Sequence, residues 1–496
     1  MKFDKSDLFC HDLPTIPQPG IGKILVTGAT GYIGGRLVPE LILRGYKVRV
    51  LVRNPSGDYS KRWPGAEIIE SDILEDRNLK NVFEGIHTAY YLIHSLHHLK
   101  REHKEDEIKV AANFCSAAEK SNLNRIIYLG NILELQKFKY SQINKNNTIL
   151  SEFIKSKIPV TFLGADMIIG SGSVSFELFK NLSRRYSVIF LSKWWYKHFK
   201  PIAIRDVIKY LVGVLELPDT QGKYYFIGGK DTVPGITIFE TFADVFNKKL
   251  SLINIPFINI VLESYILSLI TPLPSVIIRG LFEELNSISY LEHNDIKKTI
   301  PIQLLSLKES VTRAVAREEQ NRVDTRWSDA HLSIHNIAVQ LHELKDPPNF
   351  IKSYTLSTQK KTGCLFKVIC SIGGEKGWFH SNILWRLRGA VDRIFLGVGI
   401  TRGRRSSTDL RINDVIDFWR VEKLETDYRL LLRAEMRLPG VAWLELKIEP
   451  EDTQNRLQLT AYFKSDKIFG KFYWYIFLPF HELIFPDMIR EIEKSC

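Results

Sequence analysis

Short apolar segments alternate with longer amphipathic segments through the first third of the chain. The apolar segments that predict strands are Lys23–Thr27, Val48–Val52, Glu67–Glu70, Thr88–Ile93, Arg125–Leu129 and Pro159–Leu163. The segments that predict helices are Gly34–Leu43, Asn78–Phe83, Asp106–Lys120 and Phe176–Tyr186. Strands separated by helices of this length are βαβ units, which predict a doubly wound parallel sheet with helices on both faces.

The last part of the chain instead alternates with a period of two. The predicted strands are Phe418–Leu424, Arg429–Leu438, Ala442–Ile448 and Leu457–Phe463. Short turns join them, so we predict an antiparallel meander, followed by a long helix over Phe469–Lys494. The more polar segment Asn321–Lys361 predicts a linker. The resulting prediction is an α/β Rossmann domain over 20–320, a linker over 321–360 and an α+β domain over 361–496.

The overall composition is that of a soluble globular protein. A chain of 496 residues is too long for one ordinary core, and 45% hydrophobic with 25% charged residues argues against a disordered or fibrous protein. The net charge of +12 is spread along the chain and would help to attract a phosphorylated cofactor or an acidic surface. No element concentrates basic residues beside aromatic ones, so we predict no nucleic-acid partner.

The most apolar segment, Leu250–Ile278, is the best candidate for membrane contact. Glu263 lies in its middle and three prolines interrupt it, so it lacks the roughly 20 continuous apolar residues of a membrane span. We predict a buried helix pair or a pocket wall, with peripheral membrane contact as the alternative.

Five cysteines without a C-x-x-C motif predict reduced thiols in a cytoplasmic protein. Cys364 and Cys370 lie in a segment with a strand-like pattern. Residues 1–22 contain no apolar segment of the kind found in secretory signals, which agrees with a cytoplasmic location.

A glycine-rich turn, Gly28-Ala29-Thr30-Gly31-Tyr32-Ile33-Gly34, lies between the first predicted strand and the first predicted helix. Gly28 permits a tight turn, Gly31 lets the backbone approach a pyrophosphate, and Gly34 lets the helix pack closely on the strand. The start of the helix offers free N–H groups and a positive dipole to the phosphates. The strand and helix around the turn make a dinucleotide-binding site the best interpretation.

The end of the second strand distinguishes between the two nicotinamide dinucleotides. A site that prefers NAD carries an acid there for the ribose hydroxyls, whereas this strand ends in Arg53. Because a guanidinium pairs with a 2′-phosphate, we predict NADP(H) in preference to NAD(H). Asp72, after the third strand, is placed to reach the adenine edge, and Ile73 to pack on the ring.

The glycine spacing, Arg53, Asp72-Ile73 and Arg205-Asp206-Val207 resemble an atypical, extended short-chain dehydrogenase/reductase allied to NmrA. Tyr91-Leu92-Ile93-His94-Ser95 and Thr271-Pro272-Leu273-Pro274 resemble strings of a bacterial subgroup with long C-terminal extensions. The likeness covers roughly 21–317 and continues into the C-terminal part. It implies a Rossmann fold, a nicotinamide cofactor and oxidoreductase chemistry.

The usual catalytic Tyr-x-x-x-Lys pair of such reductases is absent. Tyr140 is followed by Asn144 at i+4, and Lys145 at i+5 is turned away on a regular helix. Tyr140 and Lys145 remain candidates only if that segment is not a regular helix. Where a serine or threonine is expected, at the end of the fifth strand, Asn131 is present.

His94 and Ser95 follow the fourth strand, at the sheet edge where ligands bind in open α/β folds. His94 could exchange a proton near the nicotinamide, and a histidine bonded to the backbone is the alternative. The neighbouring His97, His98 and His103 lack acid or cysteine ligands at defined spacing, so we predict no metal site.

The meander and long helix resemble a helix-grip (START-like) fold, in which a curved sheet wraps a C-terminal helix and leaves an apolar pocket. The aromatic residues suited to that pocket, or to plain core packing, are Trp378, Trp385, Trp419, Trp443, Tyr473, Trp474 and Phe477. An arginine-rich stretch, Arg386–Arg411, predicts a solvated loop, or alternatively a rim for an anionic ligand.

Three functions follow from these features. The first is an NADP(H)-dependent oxidoreductase that acts on an apolar small molecule, with its proton donor unidentified. The second is a non-catalytic, NADP(H)-responsive sensor or assembly factor, which the missing pair favours. The third is a hydrophobic-ligand carrier that uses the C-terminal domain.

Overall fold

The computed structural model describes residues 8–53, 59–74, 79–93, 101–134, 148–256, 258–287, 296–320, 322–329, 341–344, 346–374, 377–379, 382–394, 399, 404–406 and 408–496. For residues 101–104, 343, 386, 391, 393 and 394 it describes the backbone alone. The chain forms two compact units, one over 1–267 and 275–335, the other over 268–274 and 336–496.

A parallel sheet is the centre of the first unit. Its strands are β1 (Lys23–Val26), β2 (Lys47–Val52), β3 (Glu67–Glu70), β4 (Ile86–Tyr91), β5 (Arg125–Asn131), β6 (Val160–Ala165) and, later in the chain, β11 (Tyr224–Ile227). They lie in the order β11-β6-β5-β4-β1-β2-β3, and every neighbouring pair is parallel. This is the doubly wound order, and the predicted Rossmann architecture is confirmed.

Helices cover both faces of this sheet. The helices described in this part of the chain are α1 (Gly34–Leu43), α2 (Tyr59–Arg62), α3 (Lys80–Phe83), α4 (Arg101–Glu119), α5 (Ile149–Lys155), α6 (Val174–Arg185), α7 (Ile204–Glu216), α8 (Gly235–Val245), α9 (Ile260–Ile270), α10 (Ser275–Ser287), α11 (Ile296–Thr299) and α12 (Leu307–Glu319). Alternate residues of β1 enter opposite cores: Ile24 and Val26 pack in the core that contains α1 and α7, and Leu25 packs in the core that contains α4.

Short two-stranded ladders complete the first unit. The remaining strands are β7 (Ile168–Ile169), β8 (Val188–Leu191), β9 (His198–Phe199), β10 (Ile202–Ala203), β12 (Val233–Pro234) and β13 (Ser251–Asn254). β7 pairs with β10, β9 with β12, and β8 with β13. β7 follows β6 closely in sequence, and β10, which comes later in the chain, pairs with β7 in parallel.

Hydrogen bonds from neighbouring side chains stabilise Glu263 within the apolar segment of α9. Its side chain is buried and accepts hydrogen bonds from Trp194 Nε1 and Trp195 Nε1, both at 3.0 Å, and from Ser192 Oγ at 2.7 Å. Two helices, α9 and α10, are present as predicted, but α9 is not a buried helix, since Val261, Leu262, Ile266 and Leu269 are exposed. In the described part of the chain, no helix has the length and apolar character needed to cross a membrane.

The second unit contains an antiparallel sheet. Its strands are β14 (Phe350–Thr358), β15 (Val415–Ile416), β16 (Trp419–Glu425), β17 (Arg429–Ala434), β18 (Val441–Pro450) and β19 (Asn455–Lys464), in the order β14-β19-β18-β17-β16-β15. The meander is therefore confirmed. β14 lies inside the segment that the sequence assigned to a linker. That assignment is wrong for β14, because the strand pairs along its whole length with β19.

The helices described in this unit are α13 (Thr362–Ile369), α14 (Asn382–Ile394) and α15 (Ile468–Ser495). α15 packs on β14 and β19 through Trp474, whose ring stacks on Phe350 at 5.4 Å and on Phe463 at 6.0 Å. The strand-like assignment around Cys364 is wrong, since the segment is the helix α13, whose Leu365 and Ile369 are buried.

The prediction of reduced thiols is wrong for one pair. Cys364 and Cys496 form a disulfide that joins α13 to the last residue of the chain, across 132 positions. Cys10, Cys115 and Cys370 are free and buried. Spacing in the sequence could not reveal this pair, because only the packing of α13 against α15 brings the two sulfurs together.

The solvated loop predicted for the arginine-rich stretch is also wrong where its side chains are described. Arg405 is buried and pairs with Asp414 at 2.9 Å. Arg404 donates to the carbonyl oxygens of Cys370 and Ile372. These guanidinium groups hold the fold together because a buried cation needs partners. Arg388, on α14, lies near the ring of Phe477.

Candidate functional site

The glycine turn is packed too tightly to admit side chains at two positions. Gly28 has a φ of +67°, and a Cβ atom there would lie 2.4 Å from the carbonyl oxygen of Leu92. A Cβ atom at Gly34 would lie 2.5 Å from the carbonyl oxygen of Gly28. The turn therefore closes against the end of β4 and against itself, and only glycine permits both approaches.

The start of α1 has the properties of an anion site. Ile33 occupies the N-cap position and provides no side-chain hydrogen bond to the first turn. The start of a helix carries the positive end of its dipole. Two of the first N–H groups are already bonded, because Gly35 N–H donates to the carbonyl oxygen of Gly31 at 3.1 Å and Arg36 N–H to that of Ile33 at 3.0 Å. At Gly31 the described residue closest to an added Cβ atom would be Gly28, whose carbonyl oxygen would lie 3.3 Å away, so among the described residues this side of Gly31 is open.

A cavity of about 360 Å³ extends from this turn along the carboxyl ends of the strands. Its wall includes residues that follow β2, β3, β4, β5 and β6, together with part of α6 and α10. The polar or charged lining residues include Thr30, Arg53, Ser71, Asp72, Asn131, Asp166, Ser173, Ser175 and Glu284. The apolar ones include Ile73, Ile93, Ile132, Leu133, Met167, Val174, Leu281, Leu285 and Trp327. This is the edge at which open α/β sheets bind ligands.

Arg53, Asp72 and Ile73, which the sequence predicts to contact a dinucleotide, all lie on this wall. Arg53 is exposed at the end of β2. Asp72 Oδ1 accepts the N–H of Leu74 at 2.9 Å, whereas Asp72 Oδ2 is buried and has no hydrogen-bond partner among the described residues. Ile73 is buried, and Asn113 Nδ2 donates to its carbonyl oxygen at 2.9 Å.

A buried acceptor without a partner costs stability unless a ligand or water supplies a donor. Asp72 Oδ2 is such an acceptor beside an apolar surface at Ile73. An adenine ring presents an amino donor and a flat apolar face, so these residues fit the adenosine half of a dinucleotide. The glycine turn and the start of α1 fit its pyrophosphate.

Asn131 and Glu284 lie together on the cavity wall. Asn131 Nδ2 donates to Glu284 Oε1 at 3.1 Å, and Asn131 Oδ1 accepts the backbone N–H of Glu134 at 3.0 Å. Glu134 in turn accepts the hydroxyl of Tyr128 at 2.8 Å. Burial raises the pKa of Tyr128 well above its ordinary value, and Glu134 reinforces the shift, so this phenol stays protonated.

Asp166 is the buried acid at the end of β6. It accepts two backbone N–H groups at 2.6 Å, from Met167 and from Lys200. Burial raises the pKa of this carboxyl above its ordinary value, and the two N–H donors oppose that shift. Asp166 thereby fixes the backbone on one side of the cavity.

A segment assigned to the linker contributes to the site. Trp327 lies on the cavity wall, and its backbone N–H donates to the carbonyl oxygen of Gly172 at 2.8 Å. Thr325 Oγ1 donates to the carbonyl oxygen of Tyr32, within the glycine turn, at 2.8 Å. Arg36, buried on α1, donates to Thr325 and to the carbonyl oxygen of Ser171.

Nine of the ten residues predicted to bind the cofactor line the cavity; Ala29 is instead buried in the core beside α1. Of the catalytic candidates, Asn131 lies on the wall, whereas His94, Ser95, Tyr140 and Lys145 lie outside the described residues. Glu284, Trp327 and Thr325 were missed. Trp327 could have been suspected as a tryptophan in a polar segment, whereas nothing in the sequence pointed to Glu284 or Thr325.

Two families match the chain. The NmrA-like family matches residues 21–314, more than half of the sequence. The chain belongs to the NmrA-like family. A protein family of unknown function, DUF2867, matches residues 345–488 of this NmrA-like protein. Together with the sheet order and the glycine turn, the match identifies an NAD(P)-binding Rossmann protein of the short-chain dehydrogenase/reductase type.

Several characterised relatives resemble parts of this NmrA-like protein. Sterol demethylase protein B of Methylococcus capsulatus is 36% identical over 14% of the chain and 20% of its own length. Dihydroflavonol 4-reductase of Callistephus chinensis is 29% identical over 21% and 32%. Photosystem II assembly factor Ycf39 of Trieres chinensis is 22% identical over 42% and 64%. The chain thus spans less than two thirds of each of these relatives.

Solved structures also resemble part of the NmrA-like protein. UDP-glucose 4-epimerase of Thermotoga maritima, with UDP-glucose, aligns with a TM-score of 0.46 and 14% identity over 60% of the chain and 99% of its own. WbmG of Bordetella bronchiseptica, in complex with NAD and UDP, aligns with a TM-score of 0.46 and 12% identity over 62% and 97%.

Proposed function

We propose that this protein is an NADP(H)-dependent oxidoreductase that acts on an apolar small molecule. The observation that carries the proposal is the single cavity that joins the glycine turn and Arg53 to the Asn131–Glu284 pair. One end of it suits a dinucleotide, and the other end combines a polar pair with apolar side chains.

The proposed choice of NADP(H) rests on Arg53. Its guanidinium is the cation at the end of β2, and no carboxylate in that position competes for the ribose hydroxyls. Gly28, Thr30, Gly31, Tyr32, Ile33 and Gly34 would hold the pyrophosphate through backbone contacts, with Asp72 and Ile73 at the adenine. When bound, the cofactor supplies a hydride that reduces a carbon of the substrate.

The substrate end is proposed to bind an apolar molecule that carries an oxygen. Leu133, Leu281 and Leu285 supply the apolar wall there. Asn131 Nδ2 has two hydrogens, of which one is donated to Glu284, so the second can donate to a carbonyl oxygen of the substrate. Such a donor stabilises negative charge that develops on the oxygen. The proton donor is sought among His94, Ser95, Tyr140 and Lys145.

Turnover tests the proposal directly. The full chain is incubated with NADPH and a panel of quinones, enones and aldehydes, and the loss of absorbance of NADPH is followed. We expect at least one apolar member to be reduced faster than in buffer, and Asn131→Ala to slow that reaction by roughly 10²-fold. Bound NADPH that no panel member oxidises faster than buffer would contradict the oxidoreductase.

That second outcome would favour a sensor or assembly factor that binds NADP(H) without turnover. The observation behind this candidate is that Asn131 stands where reductases carry a hydroxyl, and that Glu284 and Glu134 both engage its amide. An amide cannot donate a proton in the way a tyrosine does. Ycf39, which is called an assembly factor, is among the relatives that resemble this chain.

For the second unit we propose a helix-grip-like fold that can carry a hydrophobic ligand. Trp385 Nε1, Trp419 Nε1 and Tyr354 Oη are buried and have no hydrogen-bond partners among the described residues, which favours a ligand with acceptor groups. We propose two domains near the predicted limits 20–320 and 361–496, with Thr325 and Trp327 added to the first and β14 to the second. The proposed cytoplasmic location no longer has the support of reduced thiols, because Cys364 and Cys496 are bonded. A lipid-sized adduct in native mass spectrometry would support the carrier, and its absence would contradict it.

A further inference from the structure

The outer side of α15 is apolar along most of its length. Seven of its residues keep between 44% and 79% of their surface exposed: Ile468, Phe469, Phe472, Tyr475, Ile476, Phe480 and Leu483. We call these seven residues the α15 face. The opposite side of the helix, which includes Trp474, Phe485 and Met488, is buried in the second unit.

This arrangement is unusual for a helix on the surface of a protein. Such a helix has an apolar stripe toward the core and polar residues toward water. In α15 the core stripe is already satisfied by the sheet, because Trp474 stacks on Phe350 and Phe463. The α15 face is therefore a second apolar stripe, and contiguous exposed aromatic and aliphatic side chains mark an interaction surface.

Basic side chains accompany the α15 face. Lys467 and Lys471 are exposed at its N-terminal end, together with one acid, Asp466. Arg388, on α14, lies 6.0 Å from the ring of Phe477, and the same helix exposes Ile383 at 78% and Leu387 at 60%. The acid at the other end, Glu482, pairs with Lys352 at 3.1 Å. The surface thus combines apolar bulk with positive charge, in a chain whose net charge is +12.

We propose that the α15 face binds the surface of a membrane that contains anionic lipids. Phenylalanine and tyrosine side chains insert at the boundary between headgroups and acyl chains, while lysine side chains remain with the anionic headgroups. The helix lies on the membrane; it contains Lys471 and Glu482 and does not cross it.

Co-sedimentation with vesicles tests the proposal on the full chain. The vesicles are phosphatidylcholine alone, or phosphatidylcholine with about a quarter phosphatidylserine, at low salt and at high salt. We expect the protein to bind the anionic vesicles and to be released by salt, because headgroup attraction is screened. Phe469→Ser with Phe472→Ser should weaken binding at least about tenfold, since two exposed rings no longer insert.

A second variant tests the contribution of the two lysines to membrane binding. Lys467→Gln with Lys471→Gln should weaken binding to the anionic vesicles about fivefold per lysine and leave binding to phosphatidylcholine unchanged. The matched control is Phe190→Ser with Ile253→Ser, a cross-strand pair in the first unit whose members are exposed by 53% and 45%. This control should bind like the wild type.

Three results would overturn the proposal. The wild type could fail to sediment with either vesicle, or the Phe469→Ser/Phe472→Ser variant could bind as well as the control. Alternatively, sedimentation velocity could show a wild-type dimer that this variant separates, without binding to vesicles, which would assign the face to a second copy. The proposal does not depend on the cofactor or on turnover.

Discussion

Asn131 Nδ2 and Glu284 Oε1 are hydrogen-bonded at 3.1 Å on the wall of the cavity that contains the glycine turn. The two residues are 153 positions apart, one at the end of the fifth strand of the sheet and the other on α10. The bond orients the amide of Asn131, and in the proposed reaction this orientation directs its second N–H toward the oxygen of the substrate.

Substitution of Glu284 separates positioning from cofactor binding. Glu284→Ala removes the acceptor, so we expect NADPH oxidation with the best panel substrate to slow at least about tenfold, while the Kd for NADPH changes less than about twofold. Glu284→Gln keeps an acceptor oxygen and should recover most of the rate. Equal rates for all three proteins would show that Glu284 does not position Asn131.

The glycine turn gives a test that leaves the fold intact. Gly31→Ala adds a methyl group whose one close protein neighbour is the carbonyl oxygen of Gly28, at 3.3 Å, so the variant should fold. The methyl group occupies the space proposed for the pyrophosphate, and we expect NADPH binding to weaken at least tenfold by fluorescence titration. Gly20→Ala, where a Cβ atom meets nothing within 4 Å, is the control and should bind as the wild type does.

Glu263 should contribute strongly to stability. Glu263→Ala leaves Trp194 Nε1, Trp195 Nε1 and Ser192 Oγ without their acceptor, and we expect the free energy of unfolding to fall by about 2–4 kcal/mol in urea. Glu263→Gln retains one acceptor oxygen and should lose less. Glu240→Ala, at an exposed position of α8, should change stability by less than about 0.5 kcal/mol. A loss at Glu263 no larger than at Glu240 would refute this role.

Asp417 should give the second unit a stability that depends on pH. Burial raises the pKa of Asp417 to about 6, against the hydrogen bond that Trp378 Nε1 donates to it at 2.7 Å. Between about pH 4 and 6 the folded carboxyl keeps a proton that the unfolded one has lost, so stability decreases as the pH rises through this window. We expect a decrease of about 1–3 kcal/mol.

Asp417→Asn cannot ionise and keeps an acceptor for Trp378, so it should remove this part of the pH dependence and be the more stable protein at pH 8. Asp452→Asn, at an exposed position, is the control and should follow the wild-type curve. The measurement is urea unfolding at several pH values. Parallel curves for wild type and Asp417→Asn would contradict the raised pKa.

Local patterns were enough to predict the parallel sheet, the meander and the glycine turn. The spacing of apolar residues predicts whether a segment is a strand or a helix, and the βαβ order then restricts how the strands pair. β14 shows where this failed: its residues alternate between partly buried and exposed, yet the adjacent Pro347 and Pro348 favoured a linker. Its pairing with β19 is a long-range contact that no local pattern contains.

Only the part of the candidate site that lies in one local motif could be predicted from the sequence. Gly28, Gly31, Arg53 and Asp72 lie within about fifty residues, in a motif whose spacing has a physical reason. Glu284 and Trp327 reach the cavity only through packing of distant segments, as Cys364 reaches Cys496. The density of arginines in Arg386–Arg411 was misleading at Arg405, because its partner Asp414 lies just after this stretch in the sequence.

The most direct test of the central claim is the affinity of the full chain for NADPH and NADH, measured by fluorescence titration with wild type and Arg53→Ala. We predict that the wild type binds NADPH more tightly than NADH. Arg53→Ala should weaken NADPH binding by about 10- to 100-fold through loss of a charge-assisted contact with the 2′-phosphate, with little change for NADH. Failure of both proteins to bind either dinucleotide, or equal loss of NADPH and NADH, would contradict the account.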